Sequence, residues 1–258
     1  MYYRNQQTLG ILNTKPTVIR QYDDIFNHYP GGKNVNGTYQ KIINLIPPHD
    51  IYVEGCVGGG AILQRKRPAS ITIANDCDPQ IYAAWIKYMM DGLEARNIDV
   101  LELIDELVVM VFAGERIFLY LDPPYPKETR STNKQIYLFD STPELHKSIL
   151  SGIIKVNYNC MISTYPNKLY KDVLGSDPDW YLYEYESTTR GSVKTEQLWM
   201  NYPQPTELHD YQYLGKDCWD RQRIKRKINT KIATLLKLPV LERQAIIQGV
   251  LLKLNQIQ

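Results

Sequence analysis

Four glycines within six residues, Gly55, Gly58, Gly59 and Gly60, separate an apolar strand from a helical run. Ile51-Tyr-Val53 reads as a short strand, and Ala61 to Lys66 reads as helical. Strand, glycine loop and helix is the order of nucleotide-binding α/β units, where glycine lets the backbone approach a ligand closely. The spacing is G-x-x-G-G-G. It departs from the G-x-G-x-x-G of dinucleotide enzymes, which argues against a nicotinamide cofactor.

The next strand, Ala69 to Ala74, ends at Asn75-Asp76-Cys77-Asp78. An acid about 20 residues beyond the glycine loop is where ribose hydroxyls are held. Pro79 and the residues after it are helical, so Asp78 is expected as the helix cap and Asp76 as the ligand group. Farther on, Arg116-Ile-Phe-Leu-Tyr-Leu121 reads as a buried strand that runs into Asp122-Pro123-Pro124-Tyr125. Neither proline can donate to a ladder, so the strand ends there. The stiff loop projects a carboxylate, two free carbonyls and a flat ring at the edge where open α/β sheets bind ligands. Those parts suit a planar ring with an exocyclic amine. Taken alone, the tetrapeptide reads equally as a strand-ending turn.

Around these motifs the chain divides into three parts. Residues 1–28 form a polar N-terminal arm. Residues 29–205 form an α/β domain, and residues 206–258 form a basic helical extension. Tyr29-Pro-Gly-Gly-Lys33 precedes a helical run at 39–46, an arrangement that favours an anion or makes a plain turn and cap. Residues 98–112 have helical spacing, and the third strand of the sheet is the least defined element. Residues 126–140 are polar and carry Lys127, Arg130 and Lys134, as a clamp, a lid or a solvated loop. A helix is expected from Ser141 to about Gly152, a strand at 158–163 and a helix at 167–174. Alternation at 180–186 and 195–202 predicts a hairpin whose loop holds Arg190 and Lys194. Between Lys216 and Lys231 lie seven basic and two acidic residues, Arg221 and Arg223 among them. Such a helix faces phosphate or solvent.

Formal net charge is only +2, so nucleic-acid binding rests on local patches. Cys56, Cys77, Cys160 and Cys218 form no C-x-x-C pair and the histidines are scattered, so no metal site is expected. Scattered thiols suit a reducing cytoplasm. No apolar run approaches ~20 residues, and the N-terminus lacks a signal-peptide core. A cytoplasmic monomer with no membrane partner is expected.

The ordered set Tyr29-Pro-Gly-Gly-Lys33, Glu54 to Gly60 with Asp76, Asp122-Pro-Pro-Tyr125, and Thr189 to Tyr202 resembles the D12-class, Dam-like N6-adenine DNA methyltransferases. Tyr137, His146 and Ser163 to Tyr170 belong to the same likeness, which spans about residues 29–202. It implies a Rossmann-like S-adenosylmethionine-dependent methyltransferase fold: a mostly parallel sheet, an antiparallel last strand and a helical C-terminal annex. It implies S-adenosylmethionine as methyl donor and double-stranded DNA as partner, in a restriction-modification or phage setting. Tyr29, Gly32, Lys33, Glu54, Gly55, Cys56, Gly58, Asp76 and Asp122 would contact the cofactor. Asp122 and the Pro123 carbonyl would accept hydrogen bonds from the adenine amine, with Pro124 stiffening the loop and Tyr125 stacking on the flipped base. Lys127, Arg130, Lys134, Arg190, Lys194, Arg221 and Arg223 would meet nucleic acid. Two features depart from the family. Gly55 and Cys56 stand where a proline and a phenylalanine are usual, and the target-recognition insert, about 79–115, is much reduced. RNA or cytosine N4 as substrate, and a non-catalytic DNA-binding or partner subunit, are the alternative readings.

Overall fold

The computed structural model describes residues 32–35, 37–88, 91–111, 114–126, 129, 142–188, 193–254 and 256. Its sheet has seven strands: β1 (Ile51–Glu54), β2 (Ile71–Asn75), β3 (Leu93–Arg96), β4 (Ile117–Leu121), β5 (Asn159–Thr164), β6 (Tyr181–Thr188) and β7 (Val193–Met200). Their order is β3-β2-β1-β4-β5-β7-β6. The β1, β2, β3, β4 and β5 ladders are parallel, and β7 runs antiparallel to both β5 and β6. This is the mostly parallel, Rossmann-like sheet with an antiparallel last strand expected from the sequence.

Strand β4, at the centre of the sheet, is apolar and buried at every position because both faces are covered. Side chains alternate across a strand. Ile51, Val53, Leu119 and Ile162 therefore enter one core, with Leu103 and Ile104 of α3 (Val100–Val111) and Ile149 and Ile153 of α4 (Pro143–Ile153). Tyr52, Phe118, Tyr120 and Met161 enter the other. There they meet Ile42 and Ile43 of α1 (Thr38–Ile43) and Ile81 and Trp85 of α2 (Pro79–Lys87). Each fully buried large side chain contributes about 2 kcal/mol.

Some expectations move. Residues 61–66 make a series of turns rather than a regular helix, with Gln64 N–H on the Gly60 carbonyl at 2.9 Å and Lys66 N–H on the Ile62 carbonyl at 3.0 Å. Pro68 stops any longer run. The segment 79–115 holds α2, β3 and α3, and β3 pairs with β2 at the sheet edge. The expected reduced insert therefore coincides with elements of the sheet and its cover. The helix at α1 ends before Leu45, and residues 202–213 capture its last polar groups. Tyr202 donates to the Leu45 carbonyl at 3.0 Å, and the His209 N–H donates to the Ile46 carbonyl at 2.9 Å.

The same strap stacks His209 on His49, with ring centroids 3.8 Å apart. Burial, followed by the charge of Lys66, lowers both imidazoles, His49 to about 2 and His209 to about 4. Both pKa values lie below the ordinary 6.5, so the unfolded chain binds more protons as the pH falls. Their stabilisation is complete above pH 6.5 and is lost as the pH drops through 6.5, toward about 4 for His209 and toward about 2 for His49. The expected result is that neither ring titrates between pH 7.5 and 5 in an NMR histidine titration of the folded protein. A midpoint near 6.5 for either ring would contradict this.

Two further helices, α6 (Cys218–Leu236) and α7 (Val240–Leu254), form the C-terminal extension. Neither contains a buried residue. No described helix is long and apolar enough to cross a membrane. Helix α5 (Lys168–Val173) packs on α4, where His146 Nδ1 and the Tyr170 hydroxyl lie 2.8 Å apart.

Candidate active site

Because β1, β2 and β4 are parallel and in register, Glu54, Asp76 and Asp122 emerge at the same edge of the sheet. Asp76 directly follows β2, and Asp122 directly follows β4. The Gly55 N–H bonds to the Tyr120 carbonyl at 2.9 Å, which fixes the glycine loop beside the Asp122 strand.

The glycines of that loop have different reasons. A Cβ on Gly55 would lie 2.5 Å from Leu121 Cδ2, so a larger residue would require the tip of that buried side chain to shift. A proline here could not make the Gly55 N–H bond to the Tyr120 carbonyl. Cys56 packs half-buried on the apolar core. Gly58 has φ +45°, donates its N–H to Asp76 Oδ2 at 2.9 Å and accepts from Trp85 Nε1 at 2.9 Å. Asp78 caps α2 through the Gln80 N–H at 2.8 Å, and its own N–H donates to Asp76 Oδ1 at 3.0 Å. Burial raises the Asp76 carboxyl, and these two N–H donors oppose the rise. Each Asp76 oxygen keeps a second lone pair for a ligand.

Glu54 points inward. Its Oε2 accepts from the Tyr52 hydroxyl at 2.8 Å and from the Leu63 N–H at 3.1 Å. Burial lifts its pKa to about 8 from an ordinary 4.5. The folded state therefore holds this proton where the unfolded chain has lost it. The stabilisation is full below pH 4.5 and declines as the pH rises toward 8. A Glu54→Gln variant keeps an acceptor for both donors and does not titrate. Between pH 5 and 6.5, wild type is expected to lose stability relative to this variant by up to about 1.4 kcal/mol per pH unit in urea unfolding. Parallel stability curves would contradict the buried, protonated carboxyl.

The centre of the site is a cluster that joins distant parts of the chain. Lys33 Nζ lies 2.9 Å from both Asp122 oxygens, 2.8 Å from the Tyr125 hydroxyl and 3.4 Å from Glu196 Oε2. The Tyr125 hydroxyl donates to Glu196 Oε2 at 2.9 Å, and Tyr185 donates to the same oxygen at 3.1 Å. Burial raises the Asp122 carboxyl and Lys33 opposes this. Burial also acts to raise Glu196. Lys33 and neighbouring hydroxyls outweigh it, and the carboxyl ends below its usual range. Tyr165 meets the Tyr125 ring edge-on with centroids 4.6 Å apart, and Lys194 Nζ sits 4.7 Å from the Tyr165 centroid.

The structure thus brings Lys33, Asp122 and Tyr125 into contact, and Lys194 reaches the site through Tyr165. Gly32 adjoins Lys33 in sequence. Pro123 and Pro124 follow β4 without regular structure. Arg221 and Arg223 lie on α6, where Arg223 pairs with Asp220 at 2.7 Å. Tyr29, Lys127, Arg130, Lys134, Tyr137 and Arg190 fall outside the described residues. Glu196 and Tyr185 were not anticipated as site residues. The available signal was alternation: Glu196 shares a face of β7 with Leu198 and Met200, which places a carboxylate on a buried side.

No family model matches the chain, and no curated protein matches it. Solved structures do match in chain path. An rRNA methylase from Streptococcus thermophilus is 12% identical, with 66% of this chain and 96% of that one covered at a TM-score of 0.43. The precorrin 8W decarboxylase of Methanobacterium thermoautotrophicum is 13% identical, covering 67% and 92% at 0.43. Magnesium protoporphyrin IX methyltransferase from Synechocystis PCC 6803, solved with bound SAM, is 12% identical, covering 64% and 75% at 0.40. Likenesses of this size carry no statement about substrate or chemistry.

Proposed function

We propose that this chain is a site-specific methyltransferase that transfers a methyl group from S-adenosylmethionine to N6 of adenine in double-stranded DNA. The observation that carries this reading is Asp122-Pro-Pro-Tyr125 at the end of β4, beside the glycine loop and Asp76. The residues present fit the cofactor. Asp122 and Glu196 face a single ammonium, Lys33, and two carboxylates around one ammonium leave an excess negative charge that suits a sulfonium. Asp76 offers lone pairs for ribose hydroxyls next to the Gly58 turn. The bound donor supplies an electrophilic methyl group.

The protein's own residues then position the amine. The adenine N6 lone pair is delocalised into the ring and is a poor nucleophile. The Asp122 carboxylate and Pro123 carbonyl accept its two hydrogens, which localises the lone pair and orients it for direct transfer. Tyr125 offers a stacking face, offsetting part of the few kcal/mol that extruding the base costs. Lys194, Lys127, Arg130, Lys134, Arg190, Arg221 and Arg223 are assigned to phosphate contacts.

The test is methyl transfer from labelled S-adenosylmethionine to adenine-containing duplex DNA and to RNA, followed by mass spectrometry of the nucleosides. N6-methyladenine from DNA supports the reading. N4-methylcytosine or modified RNA redirects it to another amine. Absence of S-adenosylmethionine binding by calorimetry favours a non-catalytic subunit.

A further inference from the structure

Lys33 is 6% exposed and Glu196 has a side chain 6% exposed, so neither charge is well solvated. The Lys33 ammonium is shared, with Asp122 at 2.9 Å and Glu196 at 3.4 Å. In this arrangement both Asp122 oxygens face the ammonium. A substrate amine that docks on Asp122 must share both oxygens with that ammonium, whose charge weakens each of them as an acceptor and repels a hydrogen donor. A buried ammonium cannot simply be released, because an unpaired buried charge is costly. Glu196 offers the alternative. It already lies within ion-pair distance, and the Tyr125 and Tyr185 hydroxyls hold its Oε2 in place.

We propose that Glu196 is a positioning residue that takes over Lys33 when the substrate amine occupies Asp122. This rests on the amine-binding role of Asp122 given under Proposed function. No bond breaks and no proton moves. The ammonium closes the gap to Glu196 and keeps its bond to the Tyr125 hydroxyl. The handover frees the Asp122 acceptors only when a second carboxylate waits beside them.

Two measurements test this, with thermal melts to establish that each variant is folded. The first needs no catalysis. In protein labelled with 15N-lysine, Asp122→Asn imitates an Asp122 already taken. The slowly exchanging Lys33 ammonium resonance is expected to persist in Asp122→Asn and to vanish in the Asp122→Asn/Glu196→Gln double variant. Its loss in Asp122→Asn alone, or its survival in the double variant, would overturn the proposal. The second is kinetic, on adenine-containing duplex DNA. Glu196→Gln strands the ammonium on Asp122, and kcat/KM is expected to fall at least tenfold. Lys33→Met/Glu196→Gln removes the competitor and is expected to recover activity above Glu196→Gln. A double variant no better than Glu196→Gln would sink the handover, because a purely structural Glu196 gives no such rescue. If wild type methylates no nucleic acid, the functional reading fails while the resonance measurement still reports whether Glu196 can hold Lys33.

Discussion

Asp122→Ala is expected to lower methyl transfer to duplex DNA by about a hundred- to a thousandfold. The variant keeps β4 and its prolines but deletes the charged acceptor that would localise the amine lone pair. The fold is expected to survive, because Asp122 lies just beyond the strand and the apolar residues of β4 remain buried. Lys33 keeps the Tyr125 hydroxyl and Glu196 within reach, so its ammonium is not stranded. The measurement compares labelling by wild type and variant at equal enzyme concentration, with a melt to show that both are folded. Equal labelling would remove Asp122 from the chemistry. An unfolded Asp122→Ala would instead make the acid a structural partner of Lys33.

The parts of this site that could be read from sequence are those made locally. Strand β4 is a continuous apolar run ended by prolines, and Asp78 precedes Pro79 at a helix start, so both signals lie within a few residues. The hairpin of β6 and β7 was legible because polar and apolar residues alternate from Tyr183 to Glu186, although only β6 alternates in burial and β7 is buried on both faces from Glu196 onward. Strand β3 was not, because Leu93-Glu-Ala-Arg96 is four residues long, lacks β-branched side chains and is half exposed at the sheet edge. The 61–66 segment shows helical spacing, but Glu54 captures the Leu63 N–H and Pro68 limits its length. Glu196 was hidden for a different reason. Its role depends on Lys33, Tyr125 and Tyr185, which come from three separate places in the chain and meet it only when the sheet is assembled. Alternation along β7 places its carboxylate on a buried face, but no window of sequence contains those three contacts.

Gly60→Ala is expected to destabilise the protein by about 3 kcal/mol. Two costs add. Gly60 has φ +59°, a left-handed conformation that a side chain disfavours by about 1 kcal/mol. An added Cβ would also lie 2.2 Å from a Trp85 ring carbon, and Trp85 cannot retreat because it is 1% exposed in the second core. Its Nε1 further holds the Gly58 carbonyl, so a shift of the ring pulls on the same loop that carries the Gly58 N–H to Asp76. Damage at Gly60 should therefore spread to the ribose-facing acid and weaken S-adenosylmethionine binding as well as stability. Urea unfolding measures the first effect and calorimetry the second. Trp85→Phe in the Gly60→Ala background removes the overlapping ring atoms and is expected to recover part of the stability. It does not restore the Gly58 contact, so cofactor affinity should stay low. A loss below about 1 kcal/mol for Gly60→Ala, or full recovery of both properties in the double variant, would mean that the loop is not held by Trp85. In the first case the glycine would be needed only for its backbone conformation.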